Sequence, residues 1–333
     1  MNYFIEVITV NKAKTDVDTI FKQLGYKNLT PMRKSINPLS RFWVKLVAVL
    51  RILPVLKRGD VLCLQYPMKK FYYTACFLAH LKGAKTATII HDLGAFRRKK
   101  VTPERERHLL SKTDFLIVHN PTMMKYIQEQ DFKGKIYNLQ IFDFLADVPT
   151  RQYDAPHSPW RLVYASNLRR WRNEFIYGLK DIVDGWEIDL YGPGYEDEDK
   201  VIDGIKYHGK LSENELMQQV EADFGLVWDG SSFDECSGDW GSYLRINNPH
   251  KTSLYLRAGI PVIVWSQAAM APFVGDNRVG IAVDSLRDIG EQLRALSKED
   301  YAEMKTNALR MSKLLAEGHF AKQAFTTAME ELR

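Results

Sequence analysis

Between positions 222 and 265 the chain reads ADFGLVWDG, a polar loop, and then NNPHKTSLYLRAGIPVIVW. The apolar runs 224–228 and 261–265 are short and unbroken, the pattern of strands covered on both faces in a parallel sheet. Asn247, Asn248, Pro249, His250 and Lys251 stand where a helix should begin between them. Proline suits a first helical turn, and the free N–H groups and partial positive charge of a helix N-terminus favour an anion. With the Lys251 ammonium added, the stretch is suited to a phosphate.

The rest of the chain repeats this alternation. Strands are expected at 3–10, 60–65, 85–91, 115–119 and 135–139, with helices at 15–24, 38–53, up to about 81, 103–112 and 121–130. A second series has strands at 161–165, 186–191, 205–208, 224–228, 261–265 and 280–283. Its helices follow the loop 166–170, open at Ser212 with Glu215 completing a capping box, and fall at 267–273, 285–295, 298–316 and 319–331. Strands alternating with helices specify βαβ units, and 333 residues exceed one ordinary core. The expected fold is therefore α/β: two doubly wound Rossmann-like domains, 1–150 and 151–333, facing one another across a cleft. The proline-bearing stretch 143–160 links them, and the last helix, 319–331, is free to pack back on the first.

Hydrophobic content of 45% and charged content of 26% are those of a soluble globular protein. No apolar run approaches the ~20 residues of a membrane span. The N-terminus has no basic lead-in or small-residue cleavage site, and Cys63, Cys76 and Cys236 fit neither a metal spacing nor a disulfide framework. A reducing cytoplasm is the expected compartment. Charge is unevenly spread. Residues 1–150 hold 25 Lys and Arg against 12 Asp and Glu, or +13, which leaves 21 against 29, or −8, for the remainder. Segment 33–58 has seven basic residues and no acidic one, with Phe42, Leu46, Val49, Leu50 and Leu53 at helical spacing. Such a helix either packs on its own sheet or lies on an anionic membrane surface with Trp43 and Phe42 near the headgroups.

No Gly-x-Gly-x-x-Gly is present, so a dinucleotide fingerprint is missing. Two nucleotide-type domains without it fit nucleotide-sugar transferases of the GT-B type. In the second domain three polar segments follow strands: Ser166 to Arg170, Tyr191 with Gly192-Pro-Gly194, and Asp229 to Lys251. A leaving diphosphate gathers negative charge, and Arg169 and Lys251 are the residue types that neutralise it.

The segment FGLVWDG…YLRINNPHKTSLYLRAGIPVIVW resembles the donor-domain signature of a small bacterial glycosyltransferase subfamily. That subfamily holds the glucosyltransferases of serine-rich streptococcal adhesins and the β-1,6-galactofuranosyltransferases of O-antigen and capsule assembly. VLCLQYP at 61–67, IIHD at 89–92 and VHNPTMMKYI at 118–127 also match, whereas 26–58 and 230–246 match no pattern. The resemblance implies a GT-B enzyme that moves a hexose from a UDP-sugar, held by 165–270, to a glycan acceptor bound by 1–150. It places the phosphate-binding lysine at Lys251 and the diphosphate arginine at Arg169 or Arg170, next to Asn167. Tyr191 and Gly192 would lie beside the uracil, and Asp229, Asn248 and His250 would meet ribose, phosphates or sugar. The base that takes the acceptor's proton would be Asp92, first choice for an inverting reaction, or His91. No metal or other cofactor is expected, since Asp197-Glu-Asp199 lies in an acidic loop and the cations can act in a metal's place. The basic first domain suits an acceptor on a polyprenyl diphosphate at the inner membrane face, and a homo-oligomer is implied by the resemblance alone.

The rival readings are an NAD-dependent epimerase or dehydrogenase, which would need the missing glycine motif, and a non-catalytic scaffold. Nucleic-acid binding would need aromatics interleaved with the basic residues on a strand platform, and these cluster on a helix and loops.

Overall fold

The computed structural model describes residues 1–7, 9–31, 37–68, 70–97, 101–153 and 155–331. The chain forms two compact units, Met1–Asp143 with Gly318–Arg333, and Phe144–Glu317. The first holds β1 (Asn2–Phe4), β2 (Lys27–Asn28), β3 (Val61–Tyr66), β4 (Lys85–Ile90), β5 (Phe115–Val118) and β6 (Lys135–Asn138) in one sheet. All pairs are parallel, in the order β2-β1-β3-β4-β5-β6. Every residue of β3 is buried, as an unbroken apolar run between helices requires. The strand expected at 3–10 stops at Phe4. Beyond it the N–H groups of Glu6 and Val7 donate to side chains, Thr30 Oγ1 and Asp18 Oδ2, both at 2.9 Å, instead of to a strand.

Helices Pro38–Leu50, Pro103–Leu110 and Pro121–Glu129 each follow a capping residue, Asn37, Thr102 or Asn120, with proline in the first turn. The stripe expected on the first of these is rotated. Val44, Ala48, Val49 and Ile52 are buried, while Leu50 and Leu53 stand exposed with Leu39, Trp43 and Val47. Of the expected stripe, Val49 is buried and Phe42 packs 5.3 Å from Phe71. Positions 33–36 of the basic segment and 98–100 of the run 97–100 lie outside the described residues. The final helix, His319–Glu330, belongs to this unit: Phe325 meets Phe21 edge-on at 4.7 Å. Gly318 turns the chain into it at φ 72°, where a side chain would strain the backbone, and Asp143 accepts from Phe320 N and Ala321 N at 3.1 and 2.7 Å.

The second unit holds β7 (Trp160–Ala165), β8 (Trp186–Tyr191), β9 (Ile205–Tyr207), β10 (Phe224–Val227), β11 (Val262–Trp265) and β12 (Gly280–Val283). Its parallel order is β12-β11-β10-β7-β8-β9. Leu162, Tyr164, Trp186, Trp228 and Trp265 anchor the core. Residues 146 and 148 are tied in by Arg257, whose Nη2 donates to Ala146 O and Val148 O at 2.9 and 2.7 Å. The Ser212–Glu215 capping box is present. The helix expected after Arg170 is instead two short 3-10 turns, Glu174–Tyr177 and Leu179–Asp181. Asn173 spends its side chain on neighbouring loops, and Gly178 admits Phe233, whose ring would lie 2.7 Å from a Cβ there.

Each sheet has a switch point at its first strand. β1 lies between β2 and β3, and β7 lies between β8 and β10, so successive crossovers run in opposite directions. Ligands of doubly wound sheets bind outside the carboxyl ends of strands at such a point.

Candidate functional site

In the second unit the carboxyl ends of β7 and β10 carry Ser166 to Arg170 and Trp228 to Gly230. Lys251, in the first turn of helix His250–Arg257, reaches both ends of this feature. Its Nζ donates to Trp228 O at 2.9 Å and Tyr164 Oη at 3.4 Å, and lies 3.2 Å from Asp229 Oδ1. Side-chain exposure is only 11% for Lys251 and 8% for Asp229, so this is a buried ion pair. Burial pushes the Lys251 ammonium below its ordinary value. Asp229 opposes that shift, and the nearby Arg172 guanidinium reinforces it. Arg172 lies over the Trp240 ring at 4.1 Å, with a buried Nε that has no hydrogen-bond partner among the described residues. A second cation, Arg172, thus stands near the Lys251–Asp229 pair, and the cluster has positive charge to spare.

Asn173, fully buried, holds the loops around this cluster. Its Nδ2 donates to Asn167 O at 2.7 Å and Ser166 Oγ at 3.4 Å, while its Oδ1 accepts from Gly230 N at 3.3 Å. The next loop is knitted on: Ser166 N donates to Tyr191 O and Leu168 N to Pro193 O, both at 3.0 Å. Gly192, at φ 138°, has no room for a side chain, since a Cβ would sit 1.7 Å from Ser166 O. Arg169 crosses Gly194, where a Cβ would meet its Cγ at 2.5 Å.

The two candidate arginines differ. Arg170 pairs with Glu196 at 3.3 Å and lies over the Tyr177 ring at 3.9 Å. Arg169 is exposed, and its guanidinium has no hydrogen-bond or ion-pair partner among the described residues. Its N–H is held by Asn167 Oδ1 at 3.1 Å. Tyr191 stacks on His208 at 4.8 Å, and His208 in turn bonds Asp189 at 2.6 Å. Asn248 is buried and His250 stacks on Phe144 at 4.9 Å. The loops therefore bring Asn167, Arg169, Asp229 and Lys251 into one neighbourhood, while the Tyr191 and Arg170 side chains are engaged by neighbours of their own.

His91 and Asp92 belong to the first unit, at the end of β4. Asp92 is ion-paired with Arg97. His91 Nε2 lies 2.7 Å from Gln65 Oε1, and the ring stacks on Phe142 at 5.3 Å. Gln65 Nε2 donates to Asp18 Oδ1 at 2.7 Å and Lys14 O at 3.2 Å. Both amide hydrogens thus face acceptors, which turns Oε1 toward His91 and requires the proton on His91 Nε2. The lone pair of the neutral ring is then on Nδ1. Burial pushes the Asp18 carboxyl up to about 7, against the hydrogen bonds from Val7 N and Gln65. Sequence reasoning missed Asp18, Gln65, Arg172 and Asn173. Only the alternation that puts Gln65 at a strand's carboxyl end pointed to any of them.

Two family models cover most of the chain: the N-terminal domain of glucosyltransferase 3-like proteins over 5–141 and the C-terminal domain over 162–328. The chain belongs to the glucosyltransferase 3-like family. Among curated relatives of this glucosyltransferase 3-like chain, the β-1,6-galactofuranosyltransferase WbbI of Escherichia coli (strain K12) is 33% identical over 84% of this chain and 82% of the relative. Glucosyltransferase 3 of Streptococcus gordonii is 27% identical over 96% and 94%. Among solved structures, the lipopolysaccharide outer core galactosyltransferase WaaB aligns with a TM-score of 0.60 at 11% identity, covering 99% of each chain. Sucrose-phosphate synthase from Thermosynechococcus elongatus aligns at 0.57 and 11%, over 99% of this chain and 98% of that one. The glucosyltransferase 3-like chain thus has the GT-B fold, and its membership sets aside the NAD-dependent and scaffold readings.

Proposed function

We propose that this protein moves a hexose, galactofuranose ahead of glucose, from a UDP-sugar to a glycan acceptor in polysaccharide or O-antigen assembly. The observation that carries the donor reading is the Lys251–Asp229–Arg172 cluster at the β7/β10 switch point, with Arg169 uncommitted on the adjoining loop. Its surplus positive charge suits a nucleoside diphosphate, whose charge grows as the sugar leaves. Three cations of this kind allow transfer without a divalent metal. Tyr191 and Gly192 take the uracil, and Asn248 and His250 meet the ribose or phosphates. The identity to a galactofuranosyltransferase favours that sugar.

In the reaction the acceptor oxygen bonds to the anomeric carbon, the bond from that carbon to the phosphate oxygen breaks, and its electron pair leaves on UDP. The hydroxyl proton passes to His91 or Asp92, with inversion at carbon. Gln65 holds His91 in one tautomer, with the remaining lone pair on a buried Nδ1, while Asp92 is part-exposed and ion-paired with Arg97. The acceptor is carried on a polyprenyl diphosphate at the inner face of the cytoplasmic membrane.

The test begins with thermal shifts. UDP should stabilise the protein and NAD should not, and Arg169→Ala, an exposed substitution, should weaken the UDP effect without lowering the basal melting temperature. UDP release from a panel of UDP-sugars, repeated in EDTA, then reads donor choice and metal independence. No stabilisation by UDP, or stabilisation of Arg169→Ala and Lys251→Ala as large as that of the wild type, would sink this assignment.

A further inference from the structure

We propose that helices Pro38–Leu50 and Tyr72–Leu81 together form a docking surface for an anionic lipid leaflet, an inference that rests on the lipid-linked acceptor proposed above. Among the described residues, eight of the twelve large apolar side chains left exposed fall on these helices and the adjoining turn Ile52–Val55. The helices pack beside one another. Trp43, Val47 and Leu50 form a stripe at spacings of four and three, and Tyr73, Phe77 and Leu81 form another at spacings of four. Exposure is high for groups that gain from burial: 56% for Trp43, 54% for Phe77 and 65% for Leu81. The Tyr73 and Phe77 rings stack in parallel at 6.5 Å. The second stripe was not apparent from the basic segment 33–58.

Charge selects the occupant. Residues 37–85 hold nine Lys and Arg against one carboxylate, Asp60, and that group is buried and bound by the N-terminal amine at 2.8 Å. Lys57 and Arg58 are exposed, and Lys82 is half-buried. Lys85 and His80 meet the Asp114 carboxylate at 3.1 and 2.8 Å, and the rest of the segment keeps a basic excess. An apolar face with an indole and a mainly basic rim matches the acyl boundary and headgroups of an anionic leaflet. A second copy docked through the same face would set one basic rim against another, which like-charge repulsion opposes.

The experiment is co-sedimentation with vesicles of phosphatidylcholine alone or mixed with phosphatidylglycerol. The full chain should bind the anionic vesicles at least about tenfold better, and added salt should weaken that binding. Trp43→Ser with Phe77→Ser, and separately Lys57→Glu with Arg58→Glu, should each lower binding about tenfold or more. Melting temperatures and transfer to a water-soluble acceptor should be unchanged. The proposal is overturned if the wild type ignores anionic vesicles, or if the apolar pair leaves vesicle binding intact and converts a dimer to a monomer in light scattering. Transfer to the soluble acceptor without vesicle binding would remove only the docking surface, whereas vesicle binding without transfer from any UDP-sugar would remove only the enzyme assignment.

Discussion

Lys251 and Asp229 are each nearly out of solvent, so neither can lose the other cheaply. Lys251→Ala should cost the second unit about 3–5 kcal/mol, because it strands a buried carboxylate, and Lys251→Met combined with Asp229→Asn should cost clearly less. Denaturant melts measure both. Asn173→Ala opens the bracket between the loops at 166–167 and 230, leaving Gly230 N short of an acceptor. A loss of about 1–3 kcal/mol is expected, with a raised KM for the donor. Gln65→Leu should lower kcat about tenfold or more at nearly constant KM, since it frees the His91 tautomer without touching substrate. An unchanged kcat would remove His91 as base. The residues of this site differ in how readable they were. Lys251 sat after Asn-Asn-Pro-His at a helix start, a local pattern with one meaning. Arg172, Asn173 and Asp18 sat in ordinary polar stretches, and their roles come from partners 57 residues off for Asn173 and 47 for Asp18. No window of sequence contains such a pair.

At the scale of elements, what could be read was what is local. Strands buried on both faces, such as β3 and β10, declare themselves as apolar runs, and three helices announce their starts with a cap followed by proline. Two elements went otherwise for tertiary reasons. The segment after Arg170 has helical composition but gives its Asn173 to the loops, and helix Pro38–Leu50 buries Val44 and Ala48 in place of Leu50 and Leu53. The last helix makes a further prediction. Ending the chain at Glu317 removes the ring that packs on Phe21 and leaves Asp143 without Phe320 N and Ala321 N. The truncated protein should lose amide-exchange protection across β5 and β6, which that helix covers, while β7 to β12 keep theirs.

For the molecule as a whole, two buried carboxyls give the pH dependence a sign. Burial pushes both Asp18 and Asp143 up to about 7. A raised carboxyl favours the folded state fully below its unfolded value near 4, and that contribution is lost as pH rises through 7. Wild type should therefore lose more stability between pH 5 and 8 than Asp143→Asn does, measured by urea melts at each pH, and equal slopes would contradict the assignment. Both halves of the fold obey one rule, with the switch point at the first strand, although the proposed His91 and Asp92 follow β4 and not that strand. That rule was legible from the alternation alone, whereas the registers that make it work were not.

The return of the chain at Gly318 has a consequence for how the protein is made. Most of the first unit precedes the second in the chain, yet its helix His319–Glu330 follows the whole of it. That unit must wait, with Phe21 and Ile20 uncovered, for the whole second unit to emerge, so the half translated earliest is the half completed last.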